Sequence, residues 1–352
     1  MLIKALEIAF VFGLLVMFHE FGHYAVARLN GIKVLEFSFG FGPKLIGYKS
    51  KDTLYAIRLV PLGGFVKLYG MDQELDEKGQ PVLVAINDPE SFMSKKVWQR
   101  AGVIAAGPIM NFVLAILLFI IIYASMGIPT ASTGNVVGSV VSGNPAAVAG
   151  VEPGDKITMV NGKATPDWEA LTAAIWANPD KAIELTVDKE NKQVSYTVTP
   201  QLDKGTGHGI IGISPEVIYQ PASFSRSVSY GFERTVEFTK YIVVTLGQMI
   251  TGKTQAEVGG PVMIAQAIGQ AAQQGWADLL SLAGVLSIQL GLLNLFPIPA
   301  LDGSKLVFLG IEGIRGKAIN PEKENFVHFI GFVLLMALMV AVTYKDVANL
   351  FK

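Results

Sequence analysis

The sequence contains no cysteine and few charged residues, and these two shortages narrow its class. Without cysteine the chain forms no disulfide and has no thiolate for a metal, so a zinc site would use histidine and carboxylate ligands. Only 16% of the 352 residues are charged and 51% are hydrophobic, whereas soluble domains average about 25% charged residues. The composition therefore predicts a membrane protein.

The sequence also lacks a strongly basic or acidic segment. Its formal net charge is -1, and no arginine-rich or lysine-rich tract stands out. Nucleic-acid-binding domains usually carry a basic patch or stripe for the phosphate backbone. We therefore expect no nucleic-acid partner.

Histidine is scarce as well, and two of the four histidines stand four residues apart in the motif HEFGH. On a helix, His19 and His23 share one face and Glu20 lies close to it, so the motif offers two metal ligands and a general base. Apolar residues 8–18 and 24–29 flank the motif. The pattern predicts a zinc-hydrolase motif inside a transmembrane helix; the alternative is a coincidental set of polar residues packed between spans.

Apolar segments long enough to cross a bilayer, which takes about 20 residues, occur four times. They cover residues 1–30, 97–126, 277–300 and 326–345. The first is expected to be retained, because no small-residue cleavage site follows it. Pro108 and Asn111 in the second would be costly against lipid, so they are expected to face other helices or a water-filled site, with a simple packing kink as the alternative.

The remaining segments predict a β-region, a soluble module and surface helices. Alternating stretches at residues 34–39, 45–48, 54–60 and 64–68 indicate short strands within a cytoplasmic-side region at 31–96, which ends in a polar loop at 71–89. Residues 130–202 follow the strand and helix order of a PDZ domain. Residues 223–275 predict amphipathic helices on the membrane surface, and residues 301–325 a cytoplasmic loop.

These segments together predict a polytopic α-helical membrane protein with about four transmembrane helices, a membrane-associated β-region and an inserted soluble PDZ domain. Basic residues are dense near span ends in the connections 28–100 and 305–323. The positive-inside rule places both connections in the cytoplasm and puts the PDZ module and both termini on the opposite side.

A catalytic zinc site normally takes three protein ligands plus water, so HEFGH is incomplete by itself. The candidates for the third ligand are Asp302, Glu7, Glu312 and His328. Asp302 is the best placed, because it follows the third span on the same side as HEFGH, where Pro297 and Pro299 break the helix. The alternative for Asp302 is an ordinary Asp-Gly turn.

Several motifs, taken in order, resemble one known family over essentially the whole chain. They are HEFGH, GFGPKL, PLGGFVKLYG, SFMSKKVWQRAGVIAAGPIMNF, TPDWEAL within the PDZ-like module, and LDG after NLFPIP. In this order they resemble the site-2 protease family of intramembrane zinc metalloproteases, and most closely the bacterial regulator of sigma-E protease branch. Ser304 stands where a second glycine is usual in that family, and one PDZ module is evident where that branch often has two.

The resemblance implies a set of site residues. It implies that Zn²⁺ is bound by His19, His23 and Asp302, and that Glu20 is the catalytic acid and base. It also implies that Asn294 holds unwound substrate and that residues 34–60 form a membrane re-entrant β-loop. The following strand, with Gly64, Phe65 and Val66, could offer its edge to an extended substrate.

The function implied is regulated intramembrane proteolysis of single-span membrane proteins that another protease has already cut. Anti-sigma factors and remnant signal peptides are examples of such substrates, and the PDZ domain would filter them. The implied location is the bacterial inner membrane, in contact with lipid, with the active site toward the cytoplasm. One alternative is a non-catalytic PDZ-bearing membrane scaffold or chaperone with a structural metal. A metal-binding transporter is less favoured, because no internal repeat is evident.

Overall fold

The structure is a computed structural model, which describes residues 2–71, 74–75, 81–82, 88–189, 192–203, 205–253, 259–317 and 319–349. Most of the loop predicted at residues 71–89 lies outside the described residues. The chain divides into two compact units. One combines Met1–Tyr123 with Phe224–Lys352, and the other is Ala124–Ser223.

The elements follow in chain order. The first part contains α1 (Leu2–Leu29), β1 (Val34–Ser50), β2 (Thr53–Leu68), β3 (Glu74–Leu75), β4 (Pro81–Val82) and α2 (Val97–Met126). The second unit contains β5 (Ile128–Ala131), β6 (Val137–Val140), α3 (Pro145–Ala149), β7 (Lys156–Val160), β8 (Lys163–Ala164), α4 (Trp168–Trp176), β9 (Ile183–Lys189), β10 (Lys192–Val198), β11 (Gln201–Leu202), β12 (Gly209–Ile210), β13 (Ile213–Pro215) and β14 (Val217–Gln220). The chain then forms α5 (Phe224–Ile250), α6 (Pro261–Gln274), α7 (Trp276–Leu295), α8 (Asp302–Arg315) and α9 (Pro321–Asn349).

Within the described part of the chain, four helices are long and apolar enough to cross a membrane. They are α1, α2, α7 and α9. The protein is therefore a membrane protein with four candidate spans, as the apolar segments predict. In α2, half of the most apolar window is buried inside the protein, whereas in α9 only 6% is, so α2 is central to the helix bundle and α9 is peripheral.

The helix bundle has an apolar core to which α6 contributes directly. Ile268 of α6 is fully buried and packs in one cluster with Val11 of α1, Leu114 of α2 and Ala283 of α7. The amphipathic pattern predicted surface helices at residues 223–275. The structure adds that α6 packs against the spanning helices, because its apolar face meets theirs.

The β-region is built from two long, bent strands rather than four short ones. Residues 36–39 of β1 pair with residues 54–57 of β2 on one side and with residues 64–67 of β2 on the other. Residues 44–50 of β1 pair with residues 53–58 of β2. The predicted short stretches are consecutive segments of these strands. Residues 64–68 are the outer strand segment at one edge of the sheet, and residues 44–50 lie at the other edge.

The second unit is larger than the predicted domain at 130–202. Its main sheet has the order β10-β9-β7-β8, around a core that includes Ile157, Leu171 and Leu185. Two further antiparallel pairs, β13 with β6 and β14 with β5, tie residues up to Gln220 into the unit by backbone hydrogen bonds. The prediction stopped too early because β13 and β14 are short and lack a clear apolar alternation; β13 is partly exposed and β14 is exposed at every residue.

The cytoplasmic loop predicted at 301–325 is wrong over half its length, because residues 302–315 form α8. Leu306 and Leu309 lie three apart on this helix and pack against a core cluster of α1, α2 and the β-region. Gly316, with φ +66°, then ends the helix. Asp302 lies four residues before Leu306, so a charged residue shares the face of the two leucines and interrupts the apolar pattern in the sequence.

Asp346 attaches α9 to the N-terminus of α6. Its side chain is buried, and its two carboxylate oxygens accept hydrogen bonds from the backbone N–H groups of Gly260 at 3.2 Å and Met263 at 3.0 Å. These donors have no partner within their own helix, because the first N–H groups of any helix precede its hydrogen-bond ladder. Asp346 therefore caps α6 from a different helix.

Replacing Asp346 with Ala is expected to lower the stability of the detergent-solubilised protein by about 1–2 kcal/mol, because it removes an N-cap acceptor from buried N–H groups. Asp346→Asn, which keeps one oxygen, is expected to lose less. The loss is measured by thermal unfolding, with exposed Lys345→Ala as the matched control. Equal melting temperatures for Asp346→Ala and Lys345→Ala would exclude this capping role.

Candidate metal centre

The two histidines of HEFGH lie on one face of α1 with their rings in contact. Their ring centroids are 4.8 Å apart in an edge-to-face arrangement, and the two Nε2 atoms are 3.2 Å apart. His19 is buried, with 9% of its surface exposed. The spacing of four residues thus brings the Nε2 atom of His19 and the Nε2 atom of His23 close together, as the helical period requires.

Asp302 reaches the same point from α8. Its Oδ2 atom lies 3.2 Å from His19 Nε2 and 3.3 Å from His23 Nε2. The neighbouring Gly303 permits this approach, because a Cβ there would lie 2.2 Å from the carbonyl oxygen of Phe296 and 2.4 Å from that of Leu295. The LDG motif therefore combines a candidate ligand carboxylate with a glycine that lets α8 begin directly against the end of α7.

The three side chains fit a zinc ion. Their potential ligand atoms all lie within 4.8 Å of one another. A tetrahedral zinc ion with bonds of about 2.0–2.1 Å separates any two ligand atoms by roughly 3.3 Å, close to the 3.2 and 3.3 Å separations in the structure. Apart from its contacts with the two histidines, the buried Asp302 Oδ2 has no hydrogen-bond partner among the described residues.

The protonation of Asp302 suits a metal ligand. Burial acts to raise the pKa of the Asp302 carboxyl, but hydrogen bonding and charge from His19 and His23 outweigh it and hold that pKa well below its usual range. The carboxylate therefore stays ionised at neutral pH, the form that binds a metal.

Helix α2 supports both histidines through residues 103–111. The carbonyl oxygen of Val103 lies 2.8 Å from His23 Nδ1 and can accept its proton, which leaves Nε2 free to bind a metal. Asn111 Nδ2 lies 3.1 Å from His19 Nδ1. Between them, Gly107 leaves room for the rings: a Cβ there would lie 2.3 Å from His23 Nε2 and 2.9 Å from His19 Cε1.

Asn111 and Pro108 are both buried in α2, and Asn111 is fully so. Of the settings expected for them, contact with other helices is the one observed. The sequence offered one signal for the role of Asn111, namely a polar side chain inside an apolar span. It offered none for Val103, which acts through its backbone.

Glu20 faces the edge of the β-region. The backbone N–H of Val66 lies within hydrogen-bonding reach of its carboxylate, and a Cβ on Gly64 would lie 3.6 Å from Glu20 Cγ. Phe65 lies between these residues, with the guanidinium of Arg58 5.1 Å from its ring centre. The candidate base and the outer strand segment at residues 64–68 are therefore neighbours.

The other candidate ligands lie outside the cluster of His19, His23 and Asp302. Glu312 forms an ion pair with Arg100. His328 Nδ1 accepts a hydrogen bond from the backbone N–H of Ala300 at 3.1 Å. Glu7 lies near the start of α1, and Asn294 is half-buried in the last turn of α7.

Comparison with known proteins decides the family. The model of peptidase family M50 matches residues 7–338. The chain belongs to peptidase family M50. The regulator of sigma-W protease RasP of Bacillus subtilis is 36% identical, and the zinc metalloprotease RasP of Geobacillus kaustophilus is 35% identical; each alignment covers 97% of this chain and 97% of the relative.

As a member of family M50, the chain is a peptidase, and the resemblance drawn from its motifs is confirmed at the level of the family. Among solved structures, the PDZ domain of an SdrC-like protein from Listeria innocua is 26% identical, with a TM-score of 0.21. The match covers 23% of this chain and 92% of that one. The PDZ fold of the second unit stays a prediction.

Proposed function

We propose that this M50 peptidase is a zinc-dependent intramembrane protease whose metal is held by His19, His23 and Asp302. The observation that carries the proposal is the convergence of these three donors within 4.8 Å, with two of them inside a helix long enough to cross a membrane. Ionisable groups in such a helix are costly and tend to be functional. The names of the relatives, zinc metalloprotease and sigma-W protease, point the same way.

Glu20 is the residue proposed to move protons. When bound, zinc lowers the pKa of a water molecule toward 7 and polarises the scissile carbonyl. Glu20 interacts electrostatically with His23, His19 and Asp302, so its carboxylate lies near the ligands and can accept the proton of the attacking water. It then donates that proton to the leaving nitrogen. Asp302 and the two histidines have no part in this transfer.

The substrate proposed is a transmembrane segment that has locally unwound. A helix in lipid hides its carbonyl groups in hydrogen bonds, so cleavage requires an extended backbone whose freed groups find new partners. Residues 64–66, at the outer strand segment beside Glu20, are proposed to pair with it. Asn294 is proposed to hold another of its backbone groups.

The biological substrates proposed are single-span regulators such as anti-sigma factors, or remnant signal peptides, that another protease has cut first. The name of the Bacillus subtilis relative, a regulator of sigma-W protease, supports the first class. The second unit is proposed to be a PDZ domain that filters these substrates. The enzyme is proposed to lie in the bacterial inner membrane, with the metal toward the cytoplasm and the second unit and termini outside.

Water needs a route to the buried metal. A cavity of about 650 Å³ lies between α2, α8 and α9, and its lining includes Ile104 of α2 and Ala300, which is two residues before Asp302. Charged and polar side chains line it, among them Arg100, Lys305 and Glu324. We assign the water path to this cavity rather than to Asn111, which is fully buried.

Removal of the metal tests the proposed function. The full chain, purified in detergent, is expected to cleave a single-span substrate, to lose that activity after dialysis against a chelator, and to regain it when zinc is added. Asp302→Ala is expected to stay inactive after the same addition of zinc, because it lacks one ligand.

A non-catalytic scaffold or chaperone with a structural metal predicts a different result. It would bind zinc without cleaving any single-span substrate, before or after chelation. Cleavage that persists at full rate with no bound metal would contradict the zinc mechanism itself.

A further inference from the structure

Asn111 is a fully buried polar side chain that touches a proposed ligand. Its amide nitrogen Nδ2 lies 3.1 Å from His19 Nδ1. Its amide oxygen Oδ1 is buried and has no hydrogen-bond partner among the described residues. An unpaired buried acceptor is destabilising, so this side chain needs an explanation beyond packing.

The tautomer that His19 adopts in a metal site explains the position of the Asn111 amide. A neutral imidazole that binds a metal through Nε2 carries its proton on Nδ1, and that N–H needs an acceptor. Asn111 Nδ2 is a hydrogen-bond donor, so it cannot accept the His19 Nδ1 proton. A half-turn of the amide about the Cβ–Cγ bond exchanges the two atoms and places Oδ1 opposite the Nδ1–H.

We infer that Asn111 is a positioning residue for the metal site, whose Oδ1 accepts the His19 Nδ1 proton when His19 binds zinc. This hydrogen bond fixes the tautomer and the ring orientation of His19. The inference rests on the proposed zinc site and adds a residue to its support.

The same face of α2 also supplies an acceptor for the other histidine, His23. Val103, Gly107 and Asn111 are spaced by four residues and therefore lie in one row along the helix. The Val103 carbonyl is placed to accept the His23 Nδ1 proton, the Gly107 position leaves space for both rings, and the Asn111 amide meets His19 Nδ1. Each imidazole thus has its own acceptor on a single rigid element.

The backbone of Asn111 already makes the contact that joins α2 to α7, so that structural role does not need the side chain. The Ser287 hydroxyl of α7 donates to the Asn111 carbonyl oxygen at 2.8 Å, and Ser287 is itself fully buried. This contact joins α2 to α7 without using the Asn111 side chain. It provides a matched control, because Ser287→Ala removes a buried hydrogen bond at the same residue but leaves the amide beside His19.

The test measures zinc affinity in the full chain in detergent, by competition with a chelator of known affinity. Asn111→Leu, which has similar size and no acceptor, is expected to weaken zinc binding by about 10–100-fold. Asn111→Asp, which keeps an acceptor oxygen, is expected to stay within a few-fold of the wild type, as is Ser287→Ala. Thermal unfolding of the metal-free proteins separates loss of folding from loss of affinity.

Two results would overturn the inference. One is unchanged zinc affinity in a folded Asn111→Leu variant; the other is Asn111→Asp weakened as strongly as Asn111→Leu. In both cases the wild type binds zinc, so the proposed function stands. A wild-type protein that binds no zinc would contradict the proposed function as well, which keeps the two failures distinct.

Discussion

Gly107→Ala is expected to abolish zinc binding and to lower the proteolytic rate by at least about 100-fold. The new methyl group would lie 2.3 Å from His23 Nε2, 2.5 Å from His23 Cε1 and 2.9 Å from His19 Cε1. These atoms surround the point where the ligand atoms converge. To avoid the new methyl group, the rings must turn away from Asp302. Misplacement of a reacting group by about 1 Å can cost 100-fold in rate.

Helix α2 cannot easily move to relieve this contact. On the facing surface of α1, a Cβ at Gly22 would lie 2.2 Å from the carbonyl oxygen of Ala106. The two backbones therefore already touch beside Gly107. Moving α2 outward would separate the pair and would also break the contacts of Val103 and Asn111 with the histidines.

Zinc content per chain, measured by atomic emission on the purified variant, checks this expectation. Gly102→Ala is the matched control: it lies on the same helix, and a Cβ there meets no heavy atom within 4 Å among the described residues. Alanine in place of glycine favours a helix interior by about 0.5–1 kcal/mol, so this control is expected to keep its zinc and its activity. A Gly107→Ala protein with one zinc per chain and wild-type cleavage would contradict the assignment.

Local periodicity was enough to place His19 and His23 together, because a spacing of four residues in a helix has only one outcome. The meeting of Asp302 with them was not derivable in the same way. That meeting depends on how α8 packs against α1 and α7, although Asp302 follows His23 by about 280 residues in the chain. The sequence alone left Glu7, Glu312 and His328 as alternative ligands. The position of Asp302 after the third span, beside Pro297 and Pro299, ranked it first among these candidates, and the resemblance to a family then implied the complete ligand set.

Where the prediction from sequence was wrong, tertiary contacts explain why the observed element differs from the expected one. Helix α8 was expected to be a loop, since charged residues interrupt its apolar pattern; Arg100, buried in the first turn of α2, pairs with one of them, Glu312. The β-region was expected to contain short strands, because its glycines interrupt the alternation. Gly40 and Gly42 both have positive φ, so these interruptions mark bends within one strand.

Glu20→Gln is the substitution that separates chemistry from metal binding. Glutamine has nearly the shape of glutamate but does not accept a proton at neutral pH, so the attacking water would lose its base. General acid and base catalysis contributes about 100-fold to 10,000-fold, and Glu20 is proposed to supply both the acid and the base. The proteolytic rate is therefore expected to fall by about 1,000-fold or more, while His19, His23 and Asp302 keep the metal.

This outcome differs from that of Gly107→Ala, in which the metal and the activity disappear together. It also differs from that of a scaffold with a structural metal, for which Glu20→Gln would change nothing measurable. Contact between Glu20 and the backbone of Val66 is retained by the glutamine oxygen, so the outer strand segment is expected to keep its place.

The most direct measurement determines zinc content and the rate of cleavage of a single-span substrate in the same preparations of wild type and Glu20→Gln. The account predicts one zinc per chain in both proteins, cleavage by the wild type and a loss of about 1,000-fold or more in the variant. Equal cleavage by both proteins would contradict it.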